Sequence, residues 1–188
     1  MKTATPKKET FAYAAFLRGI NVGGNTIIKM EDLAKAFKAM GFSGIKTILA
    51  SGNVVFQSSE KDKILITKTI AARLAKMAGR EVSIIVRSVE ELQELEASNP
   101  FKTVSMTPKT KAFITFVPDY KKSQNTSTPD VQDDFSILRI TDGMIVSVMH
   151  EKPGKGTLDL MGGIEKKYGK QITTRTWNTL LKVLKTAE

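Results

Sequence analysis

The chain is 188 residues long, 41% hydrophobic and 26% charged, which suits one compact domain or two small lobes around a shared core and argues against general disorder. It has no cysteine and a single histidine, His150, which excludes disulfides and thiolate metal sites and makes a histidine-rich zinc or iron centre implausible. Lys and Arg number 29 against 19 Asp and Glu, a net charge of +10. That balance favours polyanionic partners, nucleic acid first, although lysines scattered over solvated helix faces produce the same total.

In chain order, residues 1–10 read as a mobile basic tail. They are polar, with no apolar core behind them to make a signal peptide. No apolar run approaches the roughly 18 residues of a membrane span, so the expected location is the cytoplasm, with no membrane partner. Residues 11–17, FAYAAFL, are a short apolar run of the kind that forms a buried strand. Residues 20–28 form a loop that holds Gly23 and Gly24. A helix is expected over residues 30–40, where Met30, Leu33, Ala34, Phe37 and Met40 repeat at helical spacing. Glu31 and Asp32 sit in its first turn and Gly41 provides the stop. Strands at 45–49 and 54–57 flank the turn residues Ser51, Gly52 and Asn53. Ser59 is expected to open a second helix, with Asp62 three residues on as a weak capping box and Ile66, Ile70, Leu74 and Met77 as its buried stripe. Gly79 ends that helix, and VSIIV at 82–86 is the next strand.

The order β-α-β-β-α-β is the split βαβ, or ferredoxin-like, unit. In it the loop after the first strand and the turn between the second and third strands lie at one end of the sheet. Residues 18–25 are therefore expected beside Ser51, Gly52 and Asn53. Ser88 and Glu91 form a capping box for a short helix to about residue 97, which Asn99-Pro100 breaks. The polar connector 102–110 marks the expected boundary between an N-terminal lobe, 11–101, and a C-terminal α+β lobe of similar type, 102–188. In the second lobe, strands are read at 112–117, 135–140 and 144–149, the last two joined by Asp142-Gly143. Residues 119–134 read as a mobile polar loop. Gly154, Lys155, Gly156 and Thr157 make a second glycine-rich loop, and helices are expected over about 158–168 and 176–185. The halves are alike in element order, but no residue-level repeat establishes duplication.

The motifs Leu17-Arg18-Gly19-Ile20-Asn21-Val22-Gly23-Gly24, Met30-Glu31-Asp32-Leu33, Gly41-Phe42, Ser51-Gly52-Asn53-Val54-Val55-Phe56, Asn99-Pro100-Phe101 and Thr173-Thr174-Arg175-Thr176-Trp177-Asn178-Thr179 together resemble the domain of unknown function 1697 family, over about residues 11–185. The resemblance implies an α+β fold of two ferredoxin-like lobes, mainly antiparallel sheets with helices packed on one face. It implies no reaction, cofactor or substrate. The chain departs from the family in two places. Members often carry a helix where residues 119–134 are too polar for a strong one. Gly154-Lys155-Gly156-Thr157-Leu158 stands where members often have a Gly-Arg/Lys-Ser-Lys-Leu-like stretch, so one lysine is missing.

Arg18, Asn21, Gly23 and Gly24 are the first candidates for chemistry. Glycine backbone N–H groups can converge on an oxyanion, a helix N-terminus follows, and a guanidinium can clamp a phosphate or carboxylate with two hydrogen bonds. The spacing fits neither the Walker A loop nor the Rossmann fingerprint. The plainer alternative is a tight strand-to-helix connection in which Asn21 bonds backbone. Together with Ser51, Gly52 and Asn53, and with Lys155 and Arg175 from the second lobe, these residues make a candidate anion site. Helix capping by Thr174 or Thr176 is the plainer role for that segment, and Trp177 falls in a core-facing stripe with Leu180, Leu181 and Leu184. His150 can serve as a general base but has no nucleophile motif to accompany it. No carboxylate pair stands out, so no catalytic residue is assigned and no metal or cofactor is expected. The residues point to a non-enzymatic binding protein for an anionic ligand, either a nucleotide-like molecule or nucleic acid. The alternatives are an enzyme acting on a phosphorylated or carboxylated metabolite, and an interaction module whose loops only maintain the fold.

Overall fold

The computed structural model describes residues 9–21, 27–118, 131–132, 135–141, 143–150 and 164–188. The first sheet is built on β1 (Phe11–Leu17), which pairs antiparallel with β3 (Asn53–Ser58) on one side and β4 (Ile84–Ser88) on the other. β2 (Ser43–Ile48) adds to β3, giving the order β2-β3-β1-β4. With α1 (Met30–Ala39) and α2 (Lys63–Ala78) as the crossovers, this is the expected split βαβ lobe. The run FAYAAFL is apolar throughout because both faces of β1 are covered. Tyr13, Ala15 and Leu17 pack with Leu33 and Phe37 of α1 and Ile66, Ile70 and Leu74 of α2, while Ala14 and Phe16 face the second lobe.

Several boundaries differ from the expected ones: β2 begins at Ser43 rather than residue 45, and the strand expected at 112–117 begins at Thr110. β4 begins at Ile84 rather than Val82. α2 begins at Lys63 rather than Ser59, because Asp62 is itself the N-cap and accepts the N–H groups of Ile64 and Leu65. A carboxylate both caps and complements the helix dipole, an advantage a serine hydroxyl lacks. Just before the helix, the Ser58 hydroxyl accepts the Glu60 N–H. Gly79, at φ 66°, closes α2 in the left-handed conformation.

The second sheet contains β5 (Thr110–Phe116), β6 (Val131–Gln132), β7 (Phe135–Thr141), β8 (Met144–His150) and β9 (Thr173–Thr176) in the order β6-β7-β8-β5-β9, all antiparallel. With the short β6 set aside, the order repeats that of the first sheet strand for strand. The protein therefore consists of two ferredoxin-like α+β lobes. Apart from β6, the expected loop 119–134 lies outside the described residues. Of the helix expected over 158–168, residues 164–168 are described and are helical.

Each sheet's last strand runs straight into a closing helix: β4 into α3 (Val89–Ala97) and β9 into α4 (Trp177–Ala187). Ser88 and Glu91 form the expected capping box on α3, and Thr176 caps α4 by accepting the Thr179 N–H. α3 and α4 join the facing surfaces of both sheets in one apolar cluster. At its centre the Phe16 and Phe116 rings stack across the two lobes with centroids 4.1 Å apart. Phe113, three residues from Phe116, turns to the opposite face of its sheet and packs with Ile164 and Tyr168. Each fully buried aromatic contributes roughly 1.5–3 kcal/mol relative to exposure, so the shared interior is a main force holding the lobes together.

Candidate functional site

The two Gly/Asn loops meet at one end of the first sheet. The Leu17 N–H donates to the Gly52 carbonyl at 2.8 Å. Asn21, at φ 58°, reaches across both loops: its amide donates to the carbonyls of Ile28 (3.0 Å) and Ala50 (3.1 Å), and its Oδ1 accepts the Ile28 N–H at 2.8 Å. Only glycine fits at position 52. Its φ is 77°, and a Cβ there would lie 2.4 Å from Cδ1 of Ile20. Leu49, in the same turn, is also held at positive φ (59°) although it is not a glycine, a backbone strain concentrated at this end of the sheet.

Arg175 enters this site from β9 of the second lobe. Its Nε donates to Oδ1 of the fully buried Asn53 at 2.6 Å, Nη2 to the carbonyls of Leu17 (2.6 Å) and Ser51 (3.1 Å), and Nη1 to the Thr174 carbonyl (2.9 Å). The Asn53 amide in turn donates to the Ile48 carbonyl and the Ser51 hydroxyl. Burial lowers the Arg175 pKa to about 10. Withdrawal from water disfavours the charged guanidinium, and its acceptors here are neutral oxygens.

Arg18 points the other way across the lobe interface. It donates Nη1 to the Ile172 carbonyl at 2.9 Å and forms a salt bridge through Nη2 with Glu165. Its side chain and that of Glu165 are 30% and 23% exposed, so this pair is reachable from solvent. Arg80 donates to the Gly19 carbonyl at the same loop.

Of the candidate residues, Ser51, Asn53 and Arg175 bond one another, Asn21 and Gly52 hold the loops around them, and Arg18 turns away to Ile172 and Glu165. Gly23, Gly24 and Lys155 lie outside the described residues. Thr176, not Thr174, is the helix cap. Trp177 is half-buried, edge-on to Phe101 at 5.2 Å. His150 ends β8 with Nδ1 3.3 Å from the Thr110 hydroxyl. Among the described residues no three His, Asp or Glu side chains are grouped to hold a metal ion, and no helix is long and apolar enough to cross a membrane.

Sequence reasoning missed Arg87. It is 1% exposed, in the middle of the molecule, and donates Nη2 to the carbonyls of Val117 (2.5 Å) and Gly143 (3.2 Å) in the second lobe and Nη1 to Val86 (3.0 Å). The available signal was its phase. Arg87 shares a strand face with Ile85, which belongs to the core between the lobes.

The fold and this end of the sheet define a two-lobed α+β protein with an arginine-braced lobe interface. The chain belongs to the family described as Protein of unknown function (DUF1697), whose model matches residues 11–145. No curated protein matches it. Among solved structures it is similar to the conserved bacterial protein SP0830 from Streptococcus pneumoniae, with 19% sequence identity, a TM-score of 0.70, and coverage of 96% of this chain and 100% of that one. At that identity the likeness concerns the fold.

Proposed function

We propose that this protein is a non-enzymatic binding protein for a small anionic molecule of the nucleotide kind, held where the two Gly/Asn loops meet. Arg175 carries the reading. It is a largely buried guanidinium whose hydrogen bonds among the described residues go to neutral oxygens, and burial alone lowers its pKa to about 10. A cation removed from water with only dipoles beside it gains from any anion that reaches it. Arg18 supports the reading as a second guanidinium at the same end of the sheet, able to exchange Glu165 for a ligand oxyanion. Asn21, Ser51, Gly52 and Asn53 form the polar floor, and Gly23, Gly24 and Lys155 complete the proposed set. The enzymatic alternative has no supporting observation among the described residues.

Thermal denaturation with inorganic phosphate, nucleoside mono- and diphosphates and small dicarboxylates tests this. A ligand at a hundredfold its Kd adds about 2.7 kcal/mol to stability. Ser51→Glu sets a carboxylate beside Arg175, so it should raise the basal Tm and abolish the ligand-dependent shift. A panel with no shift, or a shift unchanged in Ser51→Glu, removes the reading. Affinity for DNA or RNA that falls steeply with salt would transfer it to nucleic acid.

A further inference from the structure

A cleft separate from the loop site follows β4 between α2 and the second lobe. β4 is the outer strand of its sheet, and both of its faces line the cleft. Ile84 and Val86 pack toward α2, while Ile85 and Arg87 face the second lobe. Pro118 and Gln171 form the wall from that lobe. The β4 side is buried at Val82, Ile84, Ile85 and Val86, so the cleft is a recess with a packed back rather than an exposed strand edge. Its volume is about 510 Å³, within the range of small-molecule sites, which favour joints between packed units.

The α2 wall explains why the space is there. Ile64, Thr67, Lys68, Ala71, Ala72 and Ala75 follow the helical spacing of three and four residues, so they make one continuous face. Beside it runs the core stripe of Ile66, Ile70 and Leu74. The core stripe carries large aliphatic side chains, whereas half of the cleft face is alanine. Leucine suits a helix nearly as well as alanine does, and larger apolar residues on this face would fill the cleft and add stability. The sequence instead leaves the space open. Ile64, at one end, is 52% exposed and offers an apolar side chain for a ligand to cover.

We propose that this cleft binds an uncharged, largely apolar small molecule. The lining defines that class. Lys68 and Glu81 are both exposed and opposite in sign, so together they favour neither an anion nor a cation. Arg87 is 1% exposed, with its guanidinium directed to the carbonyls of Val86, Val117 and Gly143. The Thr67 hydroxyl donates to the Lys63 carbonyl, which leaves it to act toward a ligand as an acceptor. The half-buried Ser83 adds a second hydroxyl. An apolar body with one hydroxyl or carbonyl group matches such a wall. A charged ligand would exchange its hydration for alanine and isoleucine, at a high desolvation cost.

Fluorescence titration of the full chain with phenylnaphthylamine, a neutral apolar dye, tests this, with anilinonaphthalene sulfonate as its charged counterpart. The neutral dye should bind saturably at one site per chain, and the sulfonate should bind no more tightly. Ala72→Phe, at an exposed helix position, and Ala75→Leu, at a half-buried one, fill the cleft from the α2 side. Each should weaken binding of the neutral dye roughly ten-fold or more while leaving the Tm unchanged or raised. The proposal is overturned by no saturable binding, or by binding indifferent to both substitutions. A preference for the sulfonate that Lys68→Gln removes would overturn it in favour of an anion site. A Tm lowered by both filling substitutions would mean that the cleft is closed in solution, and overturns it as well.

Discussion

Arg87 and Arg175 hold equivalent places in the two lobes. Each is the last residue before the N-cap of its lobe's closing helix, and each sends its guanidinium into the other lobe. Each reaches a carbonyl at the end of the first strand and another in the turn between the next two: Val117 and Gly143 for Arg87, Leu17 and Ser51 for Arg175. The turns match as well. The Val117 N–H donates to Gly143 at 2.7 Å as Leu17 does to Gly52 at 2.8 Å, with the glycines at φ 73° and 77°. What differs is the polar furniture. Asn53 follows Gly52 and accepts from Arg175, whereas buried, apolar Met144 follows Gly143. One guanidinium is a sealed strut. The other does the same bracing and in addition stands among Asn21, Ser51 and Asn53, side chains that the sealed example shows to be unnecessary for bracing alone.

The largest consequence concerns the sealed strut. Arg87→Ala strands the Val117 carbonyl in the interior, leaves the Gly143 carbonyl only the Val117 N–H, and empties a buried volume, so it should cost about 3–5 kcal/mol in urea denaturation. Arg175→Ala should cost less, about 2 kcal/mol, because two of its acceptors, on Ser51 and Thr174, lie where water can replace the guanidinium. Equal losses would dissolve the distinction. In the open turn, Gly52→Ala meets both a left-handed φ and the Ile20 side chain, for roughly 2–3 kcal/mol.

Much of this was legible in the residues and some was not. β1 could be read because a strand covered on both faces must be apolar at every position. The meeting of the two Gly/Asn loops followed from split βαβ topology. The start of α2 was misread because Ser59 and Asp62 both offer caps at a plausible spacing, and the choice depends on which side chain the chain's path brings beneath the helix. Arg87 was missed because its acceptors lie 30 and 56 positions away, a separation no local pattern records. The repeat itself is nearly invisible in sequence. It shows only in Gly52 and Gly143, in Arg87 and Arg175, and in the caps Ser88 and Thr176.

Copying the sealed turn into the open one sharpens the comparison. Asn53→Met reproduces the Gly143-Met144 pair and leaves Arg175 Nε and the Ile48 carbonyl without their partner. A loss of about 1–2 kcal/mol is expected, with the fold intact by circular dichroism. If the polar furniture serves a ligand, the anion-dependent Tm shift should vanish with it. A shift that persists would reduce Asn53 to a local brace.

The smallest effect separates the two closing helices. Their caps read Ser88-Val89-Glu90-Glu91 and Thr176-Trp177-Asn178-Thr179, so only α3 has a titrating residue at the third helical position. Glu91 accepts the Ser88 N–H at 2.9 Å and pairs with Lys63 at 2.6 Å. Burial works against its ionisation, but Lys63, the Ser88 N–H and the charge of Arg87 outweigh burial and hold the carboxyl below its ordinary value of 4.5. A carboxyl lowered on folding contributes stability above its unfolded pKa and loses it as pH falls through the folded value. Glu91→Gln should therefore cost about 1 kcal/mol at neutral pH, and its gap from the wild type should close as pH falls below 4.5. Thr179→Ala, on the helix that lacks the acid, should show a difference that does not change over the same range. A Glu91→Gln gap equally flat with pH would mean that the Lys63 and Arg87 charges leave the cap untouched, and that the two helices are held in the same way.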